Sequence, residues 1–120
     1  MAKALIVSGD DNSRYLYEMA VTFQKIEVES VRTIKEAAVR ILKSLPDLVI
    51  IDLQTNTFED LVGLNEVKNK IKKLPVIIMT ELSSVEAKKQ ACVLGACHVL
   101  AAKEATLGNL IKKTRQTIRK

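Results

Sequence analysis

Leu45-Pro46-Asp47-Leu48-Val49-Ile50-Ile51-Asp52-Leu53 is a proline turn that launches an unbroken β-branched and leucine run, and the run ends in a carboxylate. It is too short for a helix and apolar at every interior position. It therefore reads as a strand buried on both faces, the pattern of a central strand in a parallel sheet. Asp52 then stands at the C-terminal mouth of that strand, where loops and helix N-termini of an open α/β sheet converge and ligands bind. Leu74-Pro75-Val76-Ile77-Ile78-Met79-Thr80 repeats the design and ends in a hydroxyl. Asp52 and Thr80 are the first two candidate site residues.

Working outward, strands and helices alternate. Lys3 to Val7 is a short apolar run, followed by Leu16, Met19, Ala20 and Phe23 at helical spacing, so strand passes to helix around Asp11 to Ser13. Ile26-Glu27-Val28-Glu29 alternates apolar with charged residues, as an edge strand with one wet face does. Thr33-Ile34-Lys35-Glu36 is a capping box, and the helix it opens shows an apolar face of Ile34, Ala37, Ala38, Ile41 and Leu42 until Pro46 stops it. Leu61, Leu64, Val67 and Ile71 predict a third helix, and Ser83 to Glu86 with Gly95 bracket a fourth. His98-Val99-Leu100-Ala101 gives a fifth strand, and Leu107, Leu110, Ile111 and Ile118 a closing amphipathic helix. Right-handed crossovers in so small a chain give an α/β fold: a doubly wound, flavodoxin-like sheet of five parallel strands in the order 2-1-3-4-5.

Composition narrows the function. The 120 residues, 48% of them hydrophobic, match a single domain spanning 1–120. No apolar run approaches the roughly 20 residues that span a bilayer, and no secretory signal opens the chain, so a cytoplasmic protein without a membrane partner is expected. Cys92 and Cys97 read as buried thiols; with His98 they lack the fourth ligand of a metal site. The net charge of +5 gathers in Lys68 to Lys73 and in Lys112 to Lys120. Such clusters are ordinarily a solvated helix face, and with only Tyr15, Tyr17, Phe23 and Phe58 as aromatics the chain offers no stacking platform for single-stranded nucleic acid. A helix-turn-helix segment is also missing, so direct nucleic-acid binding is not expected. A nucleotide or flavin carrier would want a phosphate-cradling loop after the first strand, whereas Ser8-Gly9-Asp10-Asp11-Asn12-Ser13 puts two carboxylates there.

The chain resembles a receiver domain, the phospho-acceptor module of two-component response regulators, over essentially its whole length. The resemblance is carried by Pro46-Asp47-Leu48-Val49-Ile50-Ile51-Asp52, by Leu74-Pro75-Val76-Ile77-Ile78-Met79-Thr80, and by Leu94-Gly95-Ala96 ahead of the fifth strand. It implies that Asp52 takes a phosphoryl group from a histidine kinase, that Mg²⁺ screens the charge, that Thr80 holds a phosphoryl oxygen and that a fifth-strand lysine contacts another. A carboxylate attacking a phosphoryl donor suffers anionic crowding, which is why such a site needs metal-holding acids and a lysine.

Several positions depart from the family pattern. In a gapless alignment from Val7 to Arg14 the two metal-binding acids fall on Ser8 and Gly9, with Asp10 and Asp11 one or two positions late; a two-residue slip restores them but misplaces Arg14 and the start of the first helix. Asp10 remains a candidate metal ligand beside Asp52, and Gln54 a candidate through its main-chain carbonyl, while Asp11 suits helix capping or a favourable first-turn charge. The lysine falls on Ala102 when counted from Gly95 and on Lys103 when counted back from Leu107 and Leu110, a discrepancy that a one-residue bulge reconciles. The resemblance puts the family's switching aromatic at Val99, with Leu100 next to it, and neither is aromatic. The expectation is therefore a pseudo-receiver with weak Mg²⁺ binding that acts as a protein-interaction module, with a working phospho-acceptor as the alternative. No enzyme activity beyond self-phosphorylation at Asp52 is expected. Its partners would be a histidine kinase or another signalling protein, with Lys88, Lys89, Lys112 and Arg115 suggesting a basic face for an acidic one.

Overall fold

A computed structural model describes residues 1–53, 74–81, 85 and 98–118. Five strands, β1 (Lys3–Val7), β2 (Glu27–Val31), β3 (Leu48–Asp52), β4 (Val76–Thr80) and β5 (His98–Ala101), form one sheet in the order β2-β1-β3-β4-β5, and every neighbouring pair is parallel. Helices α1 (Asp11–Thr22) and α2 (Ile34–Lys43) follow the first two strands, and a closing helix spans Leu107–Ile118. The helices expected around Leu61–Ile71 and Ser84–Leu94, both cysteines, and Gly95 lie outside the described residues.

Two hydrophobic layers sandwich the sheet, as strand alternation dictates. Leu5, Val7, Val49, Ile51, Val76 and Ile78 face α2, where Ile34, Ala37 and Ile41 meet them. Ala4, Ile6, Leu48, Ile50, Ile77 and Met79 face the other way, against Tyr17 and Val21 of α1 and Leu110 of the closing helix. Both β3 and β4 are buried at all five positions, which is why their sequences are unbroken apolar runs. Asp47 pins the start of β3: its N–H donates to the Lys3 carbonyl, and its carboxylate accepts from the Lys3 N–H, both at 2.8 Å.

Helix α2 starts as its capping box requires, with Thr33 Oγ1 accepting the Glu36 N–H at 3.2 Å. Its buried face is Ile34, Ala37 and Ile41; Leu42 is exposed, because a stripe that narrow already fills the groove over β1 and β2. β2 runs two residues further than the alternation suggested, to Val31, and lies on the sheet edge. There Glu29 pairs with Lys3 at 2.9 Å and with Arg40 of α2 at 3.3 Å.

Helix α1 corrects the sequence reading of its core face. Leu16, Met19 and Phe23 point to solvent, and the buried pair is Tyr17 and Val21. The helix carries two apolar stripes, so periodicity alone fits either; its starting rotation decides. That rotation is fixed by Asp10, whose carboxylate caps the helix by accepting the Ser13 N–H at 2.8 Å. Asp11 is the first helical residue and a first-turn acid paired with Arg14 and Arg32, so the cap belongs to its neighbour. At the other end Lys25 adopts φ 62°, a left-handed turn residue that returns the chain to β2.

Candidate functional site

Ser8 and Asp52 meet because each continues the α1-facing row of its strand: Ala4 and Ile6 lead to Ser8, and Leu48 and Ile50 lead to Asp52. Val7 is registered with Ile51, so the next rung sets Ser8 directly across from Asp52. Both are fully buried, and the Ser8 hydroxyl donates to Asp52 Oδ2 at 2.9 Å. The same hydroxyl lies 3.4 Å from the Asp10 carbonyl, a longer approach that the single proton does not need. Ser8 is held from the other side as well: its N–H donates to the Val31 carbonyl at 3.0 Å, and Arg14 Nη1 donates to its carbonyl at 3.0 Å.

Tyr17 is buried on the inner face of α1, near enough to Asp52 to feel its charge. Burial, together with the nearby charges of Asp52 and Asp10, pushes its phenol up to about 12. Ser13 lies between the two, its N–H donating to the Asp10 carboxylate and its side chain near enough to Tyr17 to oppose part of that rise. The Asp10 carboxyl is held below the usual range by those Ser13 bonds. Neither Tyr17 nor the Ser8 bond was singled out as a site feature from sequence. The usable signal was parity: Ser8 is two residues beyond Ile6, and Tyr17 is four residues beyond Ser13, on one helix face.

The other candidates lie as follows. Thr80 ends β4, fully buried, one residue past Met79, the cross-strand partner of Asp52, so the two residues share the C-terminal edge of the sheet. β5 pairs with β4 at four successive positions with no bulge, ending at the Thr80–Ala101 rung, and a short 3-10 turn, Ala102–Glu104, follows. Lys103 is exposed within that turn, so the expected bulge is replaced by a tightening of the chain after the strand. Val99, half-buried, packs on the α2-side layer. Gln54 lies outside the described residues, as do Lys88 and Lys89 of the expected basic face, while Lys112 and Arg115 are exposed on the closing helix.

Among the described residues no group of three His, Cys, Asp or Glu side chains converges as a metal site. The donor set at the mouth explains why. It offers one carboxylate, Asp52, already accepting a hydrogen bond, beside a neutral hydroxyl at Ser8 and an Asp10 carboxylate committed to a helix cap. Among the described residues those groups do not make the two-carboxylate site that Mg²⁺ favours.

With this geometry in view, the chain matches the response regulator receiver domain family over residues 4–115. It belongs to that family. It is 29% identical over 97 residues to the DNA-binding transcriptional regulator NtrC of Klebsiella pneumoniae, covering 81% of this chain and 21% of that protein. To the response regulator protein PilR of Pseudomonas aeruginosa it is 29% identical over 108 residues, covering 90% of this chain and 24% of that one. The chain thus spans about a fifth to a quarter of those relatives. Among solved structures, a putative response regulator from Chloroflexus aurantiacus superposes with a TM-score of 0.84 at 25% identity, covering 99% of this chain and 98% of that one. The chemotaxis protein CheY4 of Vibrio cholerae gives 0.82 at 23%, covering 98% of each chain, and shares the fold. No helix among the described residues is long and apolar enough to cross a membrane.

Proposed function

We propose that this receiver domain is a pseudo-receiver: a cytoplasmic protein-interaction module of two-component signalling whose state is set by binding rather than by a stable aspartyl phosphate. The observation that carries this reading is the 2.9 Å bond from Ser8 to buried Asp52. Ser8 takes the place of an acid that would recruit a cation, and its hydroxyl instead satisfies the carboxylate that would attack phosphorus. Gly9 contributes no side chain, and Asp10 stabilises a helix. Without cationic screening, a second anion approaching Asp52 meets net repulsion in a buried setting. The domain would catalyse nothing on a separate substrate. Its partners would be a histidine kinase or another signalling protein, with Lys112 and Arg115 favouring an acidic surface whose association slows as salt rises.

A working phospho-acceptor is the second reading, and the shared sheet edge of Asp52 and Thr80 favours it. In it Asp52 accepts the phosphoryl group with Mg²⁺ bound at Asp52, Asp10 and the Gln54 carbonyl, while Thr80 and Lys103 steady the oxygens. Mass spectrometry of wild type and Asp52→Asn after treatment with a small acyl phosphate and millimolar Mg²⁺ separates the two. The pseudo-receiver predicts no mass gain in either protein. A phosphoryl mass confined to wild type would overturn it.

A further inference from the structure

Strand β2 ends the sheet, and its outer flank carries unused backbone groups. Glu27 donates its N–H to the Ala2 carbonyl at 2.9 Å, and the Val31 carbonyl accepts the Ser8 N–H at 3.0 Å, so Glu27, Glu29 and Val31 turn their backbone toward β1. Val28 and Ser30 therefore turn theirs outward, where no strand pairs with them among the described residues. Between this flank and α2 lies a cleft of about 620 Å³, lined in part by Glu29 and Val31 of β2 and by Lys35, Val39, Arg40 and Lys43 of α2. Lys35, Val39 and Lys43 recur every four residues, so they form one row along the helix: cation, hydrocarbon, cation. Val39 is 53% exposed, and neither lysine forms an ion pair among the described residues. The acids of the cleft are engaged instead, Glu29 between Lys3 and Arg40, and Glu36 with Thr33 in the capping box. Surplus positive charge is thus left beside an open strand.

We propose that this cleft takes an extended, acidic segment of a partner protein, which adds to β2 as a sixth strand. The backbone of Val28 and Ser30 supplies two donors and two acceptors for the added strand, and the row on α2 reads its side chains. Lys35 and Lys43 stand about 12 Å apart along the helix axis. In an extended chain, side chains four residues apart lie on one face at about 13 Å, so carboxylates at two such positions match the two lysines. The residue midway between them shares that face and meets Val39, which calls for an apolar side chain there. The recognised pattern is therefore acid, any residue, apolar, any residue, acid. A second copy of this chain is the poorer occupant, because pairing β2 with itself would set the same unpaired lysines against one another. The inference concerns a face other than the mouth of the sheet and is independent of whether Asp52 accepts a phosphoryl group.

A capped peptide of the sequence T-T-E-T-V-T-E-T-T, carrying a fluorophore, tests this by anisotropy and amide exchange. It should bind the 120-residue chain with a Kd on the order of 100 μM, weakening at least threefold as salt rises from about 50 to about 500 mM. At about 1 mM peptide the Val28 and Ser30 amides should exchange at least fivefold more slowly. Neutralising the row with Lys35→Gln and Lys43→Gln together should weaken binding at least fivefold at an unchanged thermal midpoint, and the same peptide with glutamine for both glutamates should lose as much on wild type. The proposal is overturned if the peptide does not bind at 1 mM, if neither the lysine nor the glutamate replacements weaken it, or if it binds without slowing Val28 and Ser30. It is also overturned if those two amides are already protected in the chain alone at high concentration, which would give the flank to a second copy.

Discussion

The two faces of the sheet are built from different chemistry. Toward α2 the described buried layer is hydrocarbon from Leu5 and Val7 across to Ile41 and Ile78, with Thr80 its polar member at the end of β4. Toward α1 and the closing helix the layer also carries Ser8, Asp52, the Tyr17 phenol and Thr114, all buried. Hydrocarbon contacts are indifferent to pH and ions, whereas buried polar groups are stable only while their partners and protonation states hold. One face is thus almost entirely hydrocarbon, and the other holds most of the buried polar groups among the described residues.

Cutting into the hydrocarbon face should give the largest effect and the plainest one. Ile41→Ala should cost about 4 kcal/mol through the cavity it leaves, measured by urea unfolding, and the loss should be the same at pH 6 and pH 9 and with or without Mg²⁺. On the polar face, Ser8→Asp should cost about 3 kcal/mol in chelator, because it sets a second carboxylate against buried Asp52, and several mM Mg²⁺ should restore part of that stability while leaving wild type unmoved. A wild-type midpoint that rises with Mg²⁺ would erase the distinction between Ser8 and an acid.

Tyr17 supplies the next effect. Its folded pKa is raised, so its contribution is complete below the unfolded value near 10 and is lost as pH climbs through about 12. Alkaline unfolding of wild type should show a loss of order 2 kcal/mol between those values, and Tyr17→Phe should flatten that part of the profile. The smallest effect belongs to Thr114, whose buried hydroxyl has no hydrogen-bond partner among the described residues. Thr114→Val should stabilise the domain by about 1 kcal/mol, read as a higher urea midpoint.

Much of the fold was legible because its central elements each answer to one dominant constraint. β3 and β4 are buried on both faces, and no other element produces such short unbroken apolar runs; Thr33 and Glu36 announce α2 by capping chemistry that is local in sequence. The reading failed where two constraints compete. In α1 both stripes are apolar, and the one that enters the core is chosen by a cap at Asp10 that only the three-dimensional position of the β1 end reveals. At the site, Asp52 and Thr80 were visible as strand-end polar residues. The Ser8 contact depends on a cross-strand rung, and the place of Lys103 on how the chain tightens after β5, neither of which is encoded in neighbouring residues.

Strand β2 has an open flank, and an open flank invites another strand to add on. The Glu29 carboxylate, drawn to Lys3 of β1 and to Arg40 of α2, bridges the edge of the sheet to the helix over it. Its carboxyl is held below the usual range, the Lys3 hydrogen bond being the largest cause, so the bridge stays charged at moderate pH and is released only as pH falls through that lowered value. The fastening of α2 to the sheet edge thereby runs through one half-buried side chain, and it should hold well into mild acid, until Glu29 accepts its proton.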